Sequence, residues 1–361
     1  MPVNTHPDGT AFQNKLDEFS KKGLVGLTLV VDDPIKGFWA GASGKASIEQ
    51  NIDMTKFHLQ YSGSIPKMYT GTSIMLLAED GLIELDKKMN EYLPAGICDN
   101  INNGNEITIC QLMSHTSGLG DYTWNPGFYF EFMNNPERTF STEDFLGYLY
   151  ETPADFMPGE KYEYNNSNFL VLSVVIDYVT GKNHAYFFKE RLFDPLNLNR
   201  TYYKIQEGYP HPTGTTNCYS DYYNDDRIIN ITDIYDNKWT SMQGDDGMIA
   251  STYDYMQFTR ALFEGKILSN LSLETMMTWS RDPDLDDFWR NGLAMNCWRN
   301  DKRTVWGCGH SGSSEGMGGF SYYFPEKGIT IALFTNTGTV HEKYKKLSLG
   351  LWEEIAELAN E

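Results

Sequence analysis

The two ends of this chain read as strands and its middle reads as helices. One sheet must therefore be assembled from opposite ends of the sequence. Residues 26–31 form an apolar, β-branched run, 32–37 a turn, and 38–42 a returning strand. Near the other end, residues 320–324 and 329–335 flank the turn Pro325-Glu326-Lys327-Gly328, and residues 304–308 supply a third strand. Residues 342–360 place Tyr344, Leu347, Leu351, Ile355 and Leu358 at helical spacing. Between these ends, helices are predicted over 68–79, 107–114, 142–150 and 167–179, with Gly81 and Gly181 as stops. The pattern predicts an α+β fold, an antiparallel sheet flanked by helices with an inserted all-α domain. Residues 1–60 and 245–361 would form the sheet domain and 61–244 the mainly helical one, with the active site between them. Residues 210–236, rich in Tyr, Asn and Asp, read as a long loop near the cleft.

The chain has 361 residues, 40% of them hydrophobic and 14% aromatic, enough for a packed core rather than disorder. A formal net charge of -20 disfavours nucleic acid and anionic membrane surfaces as partners. No run approaches the roughly 18–20 apolar residues of a membrane span. Met1-Pro2-Val3-Asn4-Thr5-His6 has neither a basic segment nor an apolar one, so it does not read as a signal peptide. The expectation is a cytoplasmic chain as it stands, or a periplasmic or extracellular one if a leader was removed. The cysteines Cys98, Cys110, Cys218, Cys297 and Cys308 have neither metal nor framework spacing and read as free structural thiols. Cys308, two residues before His310, is placed to line a cleft. No cofactor is expected.

Three short motifs carry chemistry. Ser64-Ile65-Pro66-Lys67 opens the helix predicted from residue 68, and Pro66 suits a first turn because the N–H it lacks would be unpaired there. Ser64 would stand at a helix N-terminus, whose partial positive charge favours a developing oxyanion. Lys67, three residues on, shares a helix face with Ser64. A serine hydroxyl needs a base, and a desolvated Lys67 with a lowered pKa would serve. The bland alternative makes Ser64 an N-cap and Lys67 a solvated charge.

Tyr164-Asn165-Asn166 precedes the helix predicted from Ser167. Tyr164 would relay the proton to the leaving group, and Asn166 would bind Lys67 and the substrate amide. An N-cap is the bland reading of Asn166. In His310-Ser311-Gly312-Ser313, placed just after an edge strand, Gly312 permits close approach, and the N–H groups of Ser313 and Ser64 would form an oxyanion hole. His115, in Ser114-His115-Thr116-Ser117-Gly118-Leu119, reads as structural, tying a helix end to the following turn.

With these motifs, the chain resembles the serine β-lactamase and penicillin-binding-protein superfamily from about Leu24 to Asn336. Within it, the likeness is to the branch holding class C β-lactamases, D-alanyl-D-alanine carboxypeptidases, D-aminopeptidases and esterases. The stretches 81–86, 92–94, 107–119 and 247–252 support it. The resemblance implies Ser64 as acylated nucleophile, Lys67 and Tyr164 as acid/base partners, Asn166 as a positioning residue and His310 at the third motif. It implies a serine hydrolase for an amide or ester, with a small-molecule or peptide substrate such as a D-amino-acid-containing peptide or a β-lactam. The alternatives are an esterase or D-aminopeptidase, or a penicillin-binding domain that acylates without turnover. Oligomeric state is left open.

Two departures stand out. His310 replaces the third-motif lysine of many β-lactamases and is mostly neutral near pH 7. The loop Gly244-Asp245-Asp246-Gly247 is acidic. If it borders the cleft, it would favour a substrate bearing a free amine. A further alternative is a catalytically dead scaffold, in which Pro66, unusual inside the first motif, would shift Lys67.

Overall fold

The computed structural model describes residues 1–135, 138–203, 212–237, 242–278, 289–302 and 304–361. Its main feature is an eight-stranded antiparallel sheet. In spatial order the strands are Ile52–Asp53, Gly37–Ser47, Gly26–Asp33, Ile329–Thr335, Gly318–Phe324, Trp306–Ser313, Asn296–Arg299 and Trp289–Asn291. The first and last thirds of the chain meet at the sheet centre, where Leu29 pairs with Leu333 and Val30 with Ala332.

Both faces of the central strands are covered, which is why these strands read as continuous apolar runs. Successive side chains point to opposite faces. Leu27, Leu29 and Val31 join Ile331 and Leu333 in a core with Phe12, Leu16 and Trp352, from the helices Gly9–Lys21 and Glu342–Ala359. Val30, Ala332 and Phe334 face the other way, into a larger core shared with the helical part. The helix Thr252–Phe263 packs on this second face, and Tyr255 stacks on Phe334 with ring centroids 4.6 Å apart. Fully burying one such Leu or Phe stabilises by roughly 1.5–3 kcal/mol.

The helical part is built around Pro66–Glu79 and Ser167–Thr180. Residues 66–77 of the first are all buried, so this helix lies at the centre and not on a surface. Gly181 closes the second in the left-handed conformation at φ 68°. The helix Thr142–Tyr150 is capped by Ser141. A three-stranded sheet joins Leu59–Tyr61, Met248–Ser251 and Thr201–Tyr203 beside the sheet domain.

Two expectations need correction. The third-motif strand is Trp306–Ser313, so His310 lies within it and not after it, and strands flank it on both sides only along its first half. Glycines at 307, 309 and 312 hide it from a propensity reading. Its partner Asn296–Arg299 pairs only with Trp306 to Gly309, so among the described residues 310–313 have no strand on that side. The second correction concerns residues 210–236. Pro210 and His211 lie outside the described residues. The remainder contains the pair Tyr219–Ser220 and Ile229–Asn230, then the helix Thr232–Asn237. No helix among the described residues is long and apolar enough to cross a membrane.

Candidate active site

Ser64 directly precedes Ile65, the N-cap of the Pro66–Glu79 helix, and Pro66 takes the first helical position. No side chain caps this helix. The Ser64 hydroxyl is therefore not used as a cap, and it instead meets Lys67 Nζ at 3.1 Å. Pro66 has not displaced the lysine. Lys67 is fully buried, and its Nζ also donates to Asn166 Oδ1 at 2.9 Å and to the Asp245 carbonyl at 3.2 Å. An ammonium has three N–H donors. These three acceptors match them.

The charge around Lys67 reverses one expectation. Burial alone pushes its amine down, but Tyr164, Asp245 and Asp246 outweigh burial and hold it above its ordinary value. Lys67 is thus a charged donor at rest. The two aspartates supplying this field do not border the cleft. Asp245 is fully buried and Asp246 nearly so, behind the helix. Burial pushes Asp245 up to about 6, against the pull of Lys67. Burial and the neighbouring Asp245 push Asp246 up to about 8. Tyr122 Oη donates to Asp245 Oδ2 at 3.1 Å, and Ser62 Oγ to Asp246 Oδ1 at 2.8 Å. Asp245 supplies an internal counter-charge and Asp246 beside it is mostly protonated at neutral pH, so the pair is no anionic wall for a substrate amine.

Asn166 is the N-cap of its helix but makes no capping bond. Its amide is committed elsewhere: Oδ1 to Lys67 and Nδ2 to Asp121 Oδ2 at 2.9 Å. Asp121 was not foreseen. It sits two residues past the Gly118-Leu119 turn, where a carboxylate following a glycine was the available signal. His115 is structural, as expected, but it braces the second motif as well as its own turn. At φ 58° it is left-handed, its Nδ1 accepts the Asn165 N–H at 3.1 Å, and its ring stacks on Tyr164 with centroids 4.4 Å apart. Tyr164 lies beside Lys67, whose Nζ is 5.1 Å from the ring centroid.

The third motif reaches Ser64 through glycine. A Cβ on Gly312 would stand 2.1 Å from the Ser62 carbonyl oxygen, and one on Gly63 would stand 2.9 Å from Ser313 N. Gly63 is also left-handed at φ 52°. Backbone-to-backbone contact at this point sets Ser313 against the nucleophile segment. His310 is buried. Desolvation and the nearby Lys67 charge push it down to about 3, so it is neutral. Its Nδ1 lies 2.6 Å from the Ser311 carbonyl, which only accepts, so Nδ1 carries the proton.

Ser64, Tyr164, His310 and Ser313 line one open cleft of about 420 Å³, joined by Tyr162, Asn291, Asn296 and Ser311. Cys308 does not line it. That thiol is buried opposite Cys297 on the neighbouring strand, and none of the five cysteines is in a disulfide. No group of three or more residues that could hold a metal ion occurs among the described residues.

Comparison with known proteins gives the chain's family and fold relatives. A Bacillus subtilis penicillin-binding protein is 26% identical over 270 residues, 73% of this chain and 61% of that protein. The chain thus spans less than two thirds of that relative's length. A D-stereospecific amidohydrolase from Streptomyces superposes with a TM-score of 0.80 at 25% identity, covering 92% of this chain and 95% of that one. A D-amino acid amidase from Ochrobactrum anthropi superposes with a TM-score of 0.84 at 22% identity, covering 97% and 98%. The family model described as Beta-lactamase matches residues 12–351, and the chain belongs to that family.

Proposed function

We propose that this serine hydrolase forms an acyl-enzyme on Ser64 and cleaves D-aminoacyl amides or related esters with uncharged leaving groups. One observation carries the reading: Ser64 Oγ, Lys67 Nζ and Asn166 Oδ1 form a continuous array, with links of 3.1 and 2.9 Å, at the foot of an open cleft.

Ser64 Oγ attacks the carbonyl carbon as its proton passes to Tyr164, which acts as a phenolate beside the Lys67 ammonium and becomes the neutral phenol. The Lys67 ammonium, donating to Ser64, stabilises the charge that develops on the serine oxygen. The carbonyl oxygen becomes an oxyanion held by the N–H groups of Ser64 and Ser313. One such donor is worth about 2.7–4 kcal/mol. Tyr164 returns the proton to the departing nitrogen or oxygen as the bond breaks. Water then attacks the acyl-enzyme, and the same groups run in reverse to restore the Ser64 hydroxyl.

Neutral His310 favours the uncharged leaving group. A terminal carboxylate, as in a D-Ala-D-Ala peptide, would meet no cation at this position. The names of two similar structures, a D-stereospecific amidohydrolase and a D-amino acid amidase, point the same way.

The test is intact-protein mass spectrometry after exposure to a fluorescent penicillin, with Ser64→Ala in parallel. Turnover of D-phenylalaninamide and of a D-Ala-D-Ala peptide is assayed beside it. The expected result is an adduct or turnover in wild type only, with the amide preferred over the peptide. Equal turnover by Ser64→Ala would sink the nucleophile. Preference for the peptide would restore the carboxypeptidase reading.

A further inference from the structure

Behind Lys67 runs a second chain of polar groups that the mechanism leaves unused. Asp177, in the helix Ser167–Thr180, takes two bonds from His184 on one oxygen, Oδ1. One comes from the backbone N–H and the other from ring Nδ1, at 2.8 Å. A carboxylate only accepts, so Nδ1 carries the proton and Nε2 is left as an acceptor. Nε2 lies 3.2 Å from Tyr203 Oη, so the Tyr203 hydroxyl donates to it. That hydroxyl oxygen in turn accepts the Gly244 N–H at 2.7 Å. Carboxylate, imidazole and hydroxyl stand in the order of a catalytic triad. His184 and Tyr203 are fully buried, however, and none of the three lines the cleft. The hydroxyl acts on the backbone it holds.

That backbone is the one that holds Lys67. Gly244 is left-handed at φ 79°, and a Cβ there would stand 2.2 Å from the Phe169 carbonyl oxygen. Its own carbonyl accepts from Thr70 Oγ1 at 2.7 Å, and Thr70 lies one turn beyond Lys67 on the same helix. The next carbonyl along, that of Asp245, accepts from Lys67 Nζ at 3.2 Å. Glycine has the freest backbone of all residues, so bonds on both its N–H and its C=O fix the direction of the carbonyl that follows.

We propose that Tyr203, oriented by His184 and Asp177, is a positioning residue for the reaction: it fixes the Gly244–Asp245 backbone and through it aims the Lys67 ammonium at Ser64. The role rests on the acyl-enzyme reading above, in which that ammonium supports the serine oxygen.

Tyr203→Phe removes the hydroxyl and keeps the ring. His184→Leu removes the acceptor that orients the hydroxyl, and His184→Gln replaces it with an amide oxygen. Phe188→Leu is the control, because the Phe188 ring packs on both His184 and Tyr203, with centroids 5.6 and 5.4 Å away, and carries no polar atom. Tyr203→Phe and His184→Leu should lower kcat for D-phenylalaninamide about 10–100-fold with KM nearly unchanged. His184→Gln should recover most of the loss. Phe188→Leu should lower the melting temperature and leave kcat alone. Unaltered kcat in Tyr203→Phe, or an equal loss in Phe188→Leu, overturns the proposal. Should Tyr203→Phe not fold, equal kcat in His184→Leu and His184→Gln overturns it. The 15N resonance of the Lys67 side chain, assigned by its absence from Lys67→Met, reads the position without turnover. It should move in Tyr203→Phe and stay in Phe188→Leu, and an unmoved resonance in Tyr203→Phe overturns the proposal. Wild type without turnover or acylation would sink the hydrolase reading, and the resonance alone would then decide whether Tyr203 positions Lys67.

Discussion

Asp121 holds Asn166 through a single carboxylate oxygen, at 2.9 Å from the backbone N–H and 2.9 Å from the side-chain Nδ2. Its other oxygen accepts from the Thr123 N–H and hydroxyl. With Nδ2 committed, only Oδ1 of Asn166 can face Lys67. On the acyl-enzyme reading, Asp121 is thus a positioning residue, acting through Asn166.

Asp121→Asn should uncouple that amide. A displacement of about 1 Å in a catalytic array costs about 10² in rate. The expected outcome is a kcat lowered about 100-fold with KM nearly unchanged. Stopped-flow acylation and thermal melts check it. A lower melting temperature with unaltered kcat would show a purely structural role.

Lys67→Met keeps the buried stem and removes the charge. Three acceptors then lose their donor, and the Ser64 oxygen loses its electrostatic support. Acid–base and charge assistance of this kind is worth about 10²–10⁴. Acylation by a fluorescent penicillin should slow by that factor while the protein still folds. Acylation at the wild-type rate would remove Lys67 from the mechanism.

Gly312→Ala tests the contact between the third motif and the nucleophile. The new methyl would stand 2.1 Å from the Ser62 carbonyl oxygen, so one backbone must move. Losing one oxyanion donor costs about 10²–10³ in kcat. A drop of that size is expected together with a lower melting temperature. Retention of full activity would mean that Ser313 N takes no part in binding the oxyanion.

The two buried aspartates give a pH prediction. Asp246 is raised from 3.8 to about 8, so the fold prefers its protonated form. That preference stabilises fully below the ordinary carboxylate range and is lost as pH rises through about 8. Asp246→Asn has no proton to lose and keeps an oxygen for Ser62. Its melting temperature should gain on wild type steadily from pH 5 to pH 8. A difference independent of pH would show that Asp246 is ionised throughout.

The sequence made the ends and the motifs legible for a physical reason. Strands buried on both faces leave long apolar runs, as at residues 26–31 and 329–335. The helices at 142–150 and 167–180 carry their own caps and stops. The helix Gly9–Lys21 is also written, in Phe12, Leu16 and Phe19 at helical spacing. The strand through His310 was hidden because glycine carries no strand signature, although its neighbours impose one. Asp121 and the burial of Asp245 and Asp246 were beyond reach of the sequence. A carboxylate looks the same on paper whether it faces solvent or an ammonium behind a helix. The error about Lys67 has the same root. Burial was foreseen, but the anions buried with it were not.

The pairing of Gly26–Asp33 with Ile329–Thr335 bears on biosynthesis. The N-terminal strand leaves the ribosome with one neighbour, Gly37–Ser47, and must wait for some 300 further residues before the other is made. At about 5–20 residues per second that wait is roughly 15–60 s, during which an apolar strand edge stays uncovered. Ser313 is likewise made some 250 residues after Ser64, so on the acyl-enzyme reading Ser64 has no complete oxyanion hole until then. A ribosome that stalls before Ser313 therefore releases an aggregation-prone fragment with an unarmed serine.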